Sequence, residues 1–315
     1  MKILIAYDGS GYSHASLCDL QKAGLPPEVE VIVLSVMENW LSPAVAQEEI
    51  HAVADSEVAE YFQKYYQQAN RNLAESKSIA DQAKQELLRY FPGWTIKTEA
   101  VLGSAASKIL LRSLEFKPDL IVVGAQGLSA FSQTGLGSIS QRVLTEAGCS
   151  VRVARSNNDD AASPELRIAI GFDDSPGSMA AVESVASRQW RRKTEIRLVI
   201  VTEPLVALIS GRVFQTIPGW SEGRMKGEQK WVETLAVEAL QTLRNAGLSA
   251  TLHVYSGNPR LVLAQETANW HADCIFVGAR AEGSRLERLF LGSVSAAVAA
   301  RANCSVEVVR KQLSD

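Results

Sequence analysis

Apolar runs of strand length alternate along the chain with stretches whose apolar positions recur every three or four residues. Lys2 to Tyr7, KILIAY, is a near-continuous apolar run, as a strand covered on both faces requires. It ends at the turn cluster Asp8-Gly9-Ser10. A helix is predicted from about Ser13, with Ala15, Leu17, Cys18 and Leu20 on its apolar side and Gly24 and Pro26 as stop signals. Glu30 to Val36 is a second buried-strand run. From Trp40 to about Tyr90 the pattern turns helical, with Val58, Phe62, Tyr65, Ala69, Leu73, Ala80, Ala83 and Leu87 on one face. Three more predicted strands follow at Thr95 to Leu102, Leu120 to Val123 and Val151 to Arg155, separated by helices over Ala106 to Leu114 and Ser138 to Ala147. The order βαβαβαβαβ predicts an α/β fold, a doubly wound, five-stranded parallel sheet with right-handed crossovers.

The pattern then repeats. RIAIGFDDSPGSMA from Arg167 matches KILIAYDGSGYSHA at six of 14 positions, and 135–155 matches 290–310 at eleven of 21 without a gap. Asp173 stands where Asp8 stood, and the second copy's second strand is predicted to run to Thr202. The expected organisation is a first domain at 1–155, a polar linker at 156–166 and a second domain at 167–310. The closing strands SVRVAR and SVEVVRK each leave a sheet edge to cover. Antiparallel pairing between them would make the chain an internal pseudo-dimer, with further homo-oligomers left open.

Between the fourth strand and the last helix of the first copy lies a loop holding Gly124, Gly127, Gly135 and Gly137. A strand, a glycine-rich loop and a helix N-terminus can hold an anion, because backbone N–H groups approach it closely and the first helical N–H groups have no intrahelical partner. Ser138 reads as the N-cap, with Gln141 completing a capping box. Asp8, the end of the second strand at Val36, and Gly124 fall at the carboxyl edge of the sheet, where open parallel sheets bind ligands. Asp8 offers a carboxylate to a ribose hydroxyl or base amine. The backbone at Val36 offers the donor and acceptor that an adenine edge needs.

Composition narrows the function classes. A 46% hydrophobic and 21% charged chain with a formal charge of −3 is globular and lacks the basic footprint of a nucleic-acid binder. The cluster Arg188 to Lys193 reads as a solvated helix end. Cys18, Cys149, Cys274 and Cys304 show no C-x-x-C spacing and no nearby histidine ligands, which speaks against a metal site. No segment reaches the roughly 20 apolar residues of a membrane span, and MKILIAYDGS is too short for a signal peptide, so a cytoplasmic location is expected.

The duplication, the strand-end residues and the loop together resemble the universal stress protein family, two such domains in tandem. Nucleotide-binding members of that family carry Gly, two residues, Gly, nine residues, Gly, then Ser or Thr, matched here by Gly124, Gly127, Gly137 and Ser138. The resemblance implies a stress-response or regulatory protein that binds ATP or another adenine nucleotide, with Mg as a possible companion, through Ala6, Asp8, Val36, Gly124, Gly127, Gly137, Ser138 and Ile139. In the second copy the corresponding set is Asp173, Thr202, Gly278, Gly292 and Ser293. There Ala281 replaces the second glycine and ten residues precede Gly292, so the first copy is expected to be the main site. Arg280, Arg285 and Arg288 add charge near the altered loop.

No catalytic constellation is visible, and the loop lacks the lysine of a P-loop. Two alternatives stay open. One is a slow ATPase or self-phosphorylating protein using Ser138, Ser132 or Thr134. The other is an interaction module binding a protein partner through 40–90 and 205–226, where the copies differ most.

Overall fold

A computed structural model describes residues 1–38, 56–126, 135–155, 165–190, 193–202, 234–279 and 291–311. The chain divides into two compact units, Met1–Gln21 with Pro26–Ser156 and Lys22–Leu25 with Asn157–Asp315. Of the expected linker 156–166, residues 156–164 lie outside the described residues and Leu166 already begins a strand; the segments 40–55 and 205–226 and the loops 127–134 and 280–290 also lie outside the described residues. Ser132, Thr134, Ala281 and the three loop arginines therefore do as well.

In the first unit the described elements are β1 (Lys2–Ala6), α1 (Gly11–Asp19), β2 (Glu30–Met37), α2 (Ser56–Tyr90), β3 (Thr95–Leu102), α3 (Ala105–Phe116), β4 (Leu120–Gly124), α4 (Ser138–Glu146) and β5 (Ser150–Ala154). The strands are parallel in the order β3-β2-β1-β4-β5. Ile3, Leu4 and Ile5 are all fully buried, so successive side chains on both faces are covered, which is what an unbroken apolar run predicts. Helix α1 starts at Gly11, two residues before the apolar periodicity begins, because the Ser10 hydroxyl caps it by accepting the Ser13 N–H at 3.2 Å. Helix α3 ends where Lys117 takes a left-handed conformation.

Arg152 in β5 has a fully buried side chain and forms a two-pronged ion pair with Asp19 of α1, at 2.6 Å from Nε and 3.1 Å from Nη2. A strand covered on both faces admits an arginine only with such a partner.

The second unit repeats the plan with β6 (Leu166–Gly171), α5 (Pro176–Ala186), β7 (Thr194–Thr202), a helix α6 described over 234–245, β8 (Ala250–Ser256), α7 (Pro259–Asn269), β9 (Cys274–Gly278), α8 (Ser293–Arg301) and β10 (Ser305–Val309). Its parallel order is β10-β9-β6-β7-β8.

The sequence reading of Arg188 to Lys193 as a solvated helix end is corrected at Arg188; Lys193 is exposed as expected, and residues 191–192 lie outside the described residues. The Arg188 side chain is only 8% exposed and pairs with the Glu307 carboxylate of β10, with its guanidinium 4.9 Å from the Phe276 ring centre. Trp190 meets the same ring edge-on at 6.0 Å. An arginine stacked on an aromatic face and paired with a carboxylate loses little by leaving water. Glu307 occupies the repeat position of Arg152, so the last strand of each unit buries a charge of opposite sign at the same place, although the partners, Asp19 and Arg188, are not repeat equivalents.

Candidate functional site

Strand β1 pairs with β2 on one side and β4 on the other, and the chain order reverses between β1 and β4. This is the topological switch point, and ligands of open parallel sheets sit beyond the strand ends there. The structure brings Ala6, Asp8, Val36 and Gly124 to this edge of the first unit. The last β1–β2 register pair is Ala6 with Leu34, and Tyr7 N–H donates to Leu34 C=O at 3.0 Å. Backbone groups alternate sides along a strand, so Val36 N–H and C=O point the same way as those of Leu34, past the end of β1. Met37 C=O points the other way and accepts Gly103 N–H at 3.0 Å.

Asp8 organises the turn into α1, its Oδ1 accepting Ser10 N–H at 3.0 Å. Tyr7 beside it is buried. Burial, and after it the Glu86 and Asp8 carboxylates, push its phenol above the usual pKa, so it stays neutral beneath the site.

The loop after β4 leaves and returns at one place. Gly137 N–H donates to Ala125 C=O at 2.8 Å, and Ser140 Oγ donates to Gly124 C=O at 2.6 Å. These two bonds fix the start of α4 against the end of β4. They also correct the capping assignment: Gly137, extended at ψ 154°, is the N-cap, and among the described residues no side chain caps the helix. Ser138 is instead the first helical residue, with Ile139 second, and the first intrahelical bond runs from Gln141 N–H to Gly137 C=O at 2.9 Å. A helix N-terminus without a side-chain cap keeps its leading N–H groups available to an anion. Gly127 lies among the residues not described.

Two residues here were not among the sequence-derived contacts. Gln126, only 7% exposed, holds a buried Oε1 that finds no hydrogen-bond partner among the described residues. A buried orphan acceptor beside a ligand edge calls for an explanation, and a ligand donor is one. Ser140 has a repeat counterpart, Ser295, whose Oγ donates to Gly278 C=O at the same 2.6 Å. The shared serine was the available signal.

The second unit keeps the strand register of the first, and three of its contacts differ. Val201, not Thr202, is the register equivalent of Val36, because Phe172 N–H donates to Val199 C=O as Tyr7 donates to Leu34. Thr202 lines up with Met37, and its C=O accepts Gly257 N–H at 2.9 Å, so that expectation was displaced by one residue. Gly292 is an N-cap like Gly137, but the Ser293 hydroxyl accepts a hydrogen bond from Arg260 Nη2 at 2.8 Å. Asp173 holds Ser175 through both its N–H and its Oγ, at 3.2 and 2.6 Å. Finally, the start of α5 presses on the end of β9: a Cβ on Gly278 would lie 2.1 Å from Gly177 C. In the first unit Tyr12 stands in place of Gly177, and a Cβ on Gly124 would lie 3.0 Å from its carbonyl oxygen.

No described helix is long and apolar enough to cross a membrane. The model of the universal stress protein family matches residues 1–155 and again 166–310. Universal stress proteins of Mycobacterium bovis and Mycobacterium tuberculosis are 28% identical over 225 residues, covering 69% of this chain and 70% of theirs. A universal stress protein structure from Archaeoglobus fulgidus shares the fold over 99% of this chain and 96% of its own, with a TM-score of 0.57 at 19% identity. By the twofold match and the duplicated α/β architecture, the chain belongs to the universal stress protein family and carries two of its domains in tandem.

Proposed function

We propose that the first unit binds an adenine nucleotide, ATP among them, as a regulatory ligand. The observation that carries this reading is the glycine-capped start of α4, bonded to the end of β4 beside the orphan Gln126 Oε1. The N–H groups of Ser138, Ile139 and Ser140 would receive phosphate oxygens, Val36 the adenine edge and Asp8 a ribose hydroxyl. Family membership supports it, since the glycine spacing is that of the family's nucleotide-binding members. A magnesium ion would be carried in with the phosphates.

The reading is tested by denaturing the purified protein and analysing the supernatant, then titrating the emptied protein with ATP–Mg in a calorimeter. The expected result is about one nucleotide per chain. Asp8→Ala and Gly137→Val should each weaken binding by about tenfold or more, the scale of one hydrogen bond to a charged group. No released nucleotide together with no heat of binding would overturn the reading.

A further inference from the structure

The seam between α1 and α2 carries a cluster of side chains that nucleotide binding leaves unused. His14 and Cys18 lie four residues apart on α1, and Glu86 and Tyr90 lie four apart on α2. That spacing places each pair on one helical face. The pairs meet: His14 Nδ1 is 3.1 Å from Glu86 Oε2, the Tyr90 hydroxyl donates to Glu86 Oε1 at 3.1 Å, and Cys18 Sγ is 4.0 Å from that hydroxyl. One ligand atom from each of His14, Cys18 and Glu86 lies within 4.8 Å of the other two.

We propose that His14, Cys18 and Glu86 form a site for a borderline-soft divalent cation of the zinc class, a water completing the tetrahedron. Imidazole nitrogen, thiolate sulfur and carboxylate oxygen together suit zinc, whereas magnesium and calcium take oxygen ligands. Zinc bonds of about 2.0–2.3 Å hold tetrahedral ligand atoms roughly 3.3–3.8 Å apart, so the three need to close by only about 1 Å. Cys18 gives up its thiol proton on ligation, and the Tyr90 hydroxyl keeps its bond to Glu86, orienting the carboxylate from outside the coordination sphere. A lone surface His–Glu pair would be unremarkable with His14 side chain 54% exposed. A thiol one turn along the same face, with a mostly buried carboxylate opposite, is a ligand set. The site belongs to the first unit, since Met179 and Glu183 stand at the repeat positions of His14 and Cys18. Bridging two helices, the ion would pin α2 to α1.

The test uses untagged full-length protein stripped with chelator and titrated with Co²⁺, read by the near-ultraviolet charge-transfer band of a cobalt–thiolate bond and by competition with Zn²⁺. One Co²⁺ per chain with that band, displaced by Zn²⁺, is expected. Cys18→Ser should lose the band, while His14→Ala and Glu86→Gln should weaken binding by at least about tenfold, a scale that even outer-shell changes reach. Protection of Cys18 from alkylation by Zn²⁺ in the unmodified protein, lost in His14→Ala, carries the test should Cys18→Ser fail to fold. Absence of the band in the unmodified protein overturns the proposal. So does its survival in Cys18→Ser, which would move the metal to one of the buried cysteines, Cys149, Cys274 or Cys304.

Discussion

Arg152→Ala is expected to destabilise the first unit by about 3–5 kcal/mol, the cost of stranding one partner of a buried ion pair. The Asp19 side chain is 5% exposed and that of Arg152 is 0% exposed, so the remaining carboxylate has little recourse to water. The pair's own net worth is a different and smaller quantity, because both charges were desolvated to make it. Arg152→Met combined with Asp19→Leu should therefore cost clearly less than Arg152→Ala alone. Because the chain has two units, the quantity to read is hydrogen exchange in peptides from β1, β4 and β5, which reports local opening. Exchange of their slowest amides should quicken by about 100-fold or more, each 1.4 kcal/mol being about tenfold. A change of less than tenfold would mean that solvent reaches Asp19.

That pair also marks the limit of reading the chain from its sequence. The strands were legible because a doubly covered strand must be apolar at successive positions, as β1, β4 and β9 are. Arg152 breaks that rule inside SVRVA, and its partner lies 133 residues away, beyond any local pattern. Arg188 was misread for the same reason: its carboxylate and its aromatic face come from β10 and β9. The cap of α4 was misplaced by one residue because Ser138 and Gln141 have capping-box spacing. The bond from Gly137 N–H to Ala125 C=O, a tertiary contact, decides where the helix begins. Likewise the expectation of no histidine near a cysteine fails at His14, four residues before Cys18, a separation that gains meaning only once α2 supplies Glu86. That Ala6, Asp8, Val36 and Gly124 share the carboxyl edge is legible because strand ends are local. Whether each backbone group points into the edge depends on strand parity, which moved Thr202 to Val201.

Gly278→Ala is expected to destabilise the second unit by about 3 kcal/mol, at the upper end of what overpacking costs. The added Cβ would meet Gly177 C at 2.1 Å, Gly177 O at 2.3 Å and Ser178 N at 2.5 Å. All three are backbone atoms, so no rotamer change relieves the clash and α5 has to move off β9. Gly124→Ala is the informative contrast. Its Cβ would meet Tyr12 O at 3.0 Å and Gln126 O at 3.2 Å, which a shift of a few tenths of an ångström accommodates, so about 1 kcal/mol is expected. Gly148→Ala, with nothing within 4 Å, should be neutral within about 0.5 kcal/mol. Hydrogen exchange in β9 and α5 peptides ranks the first against the others, which are read in β4 and α4. The graded response follows from one substitution between repeats: with Gly177 where the first unit has Tyr12, α5 closes onto the strand end that α1 leaves more room beside. Should Gly278→Ala cost no more than Gly124→Ala, that closure is absent, and the difference between the two sites would rest on their loops alone.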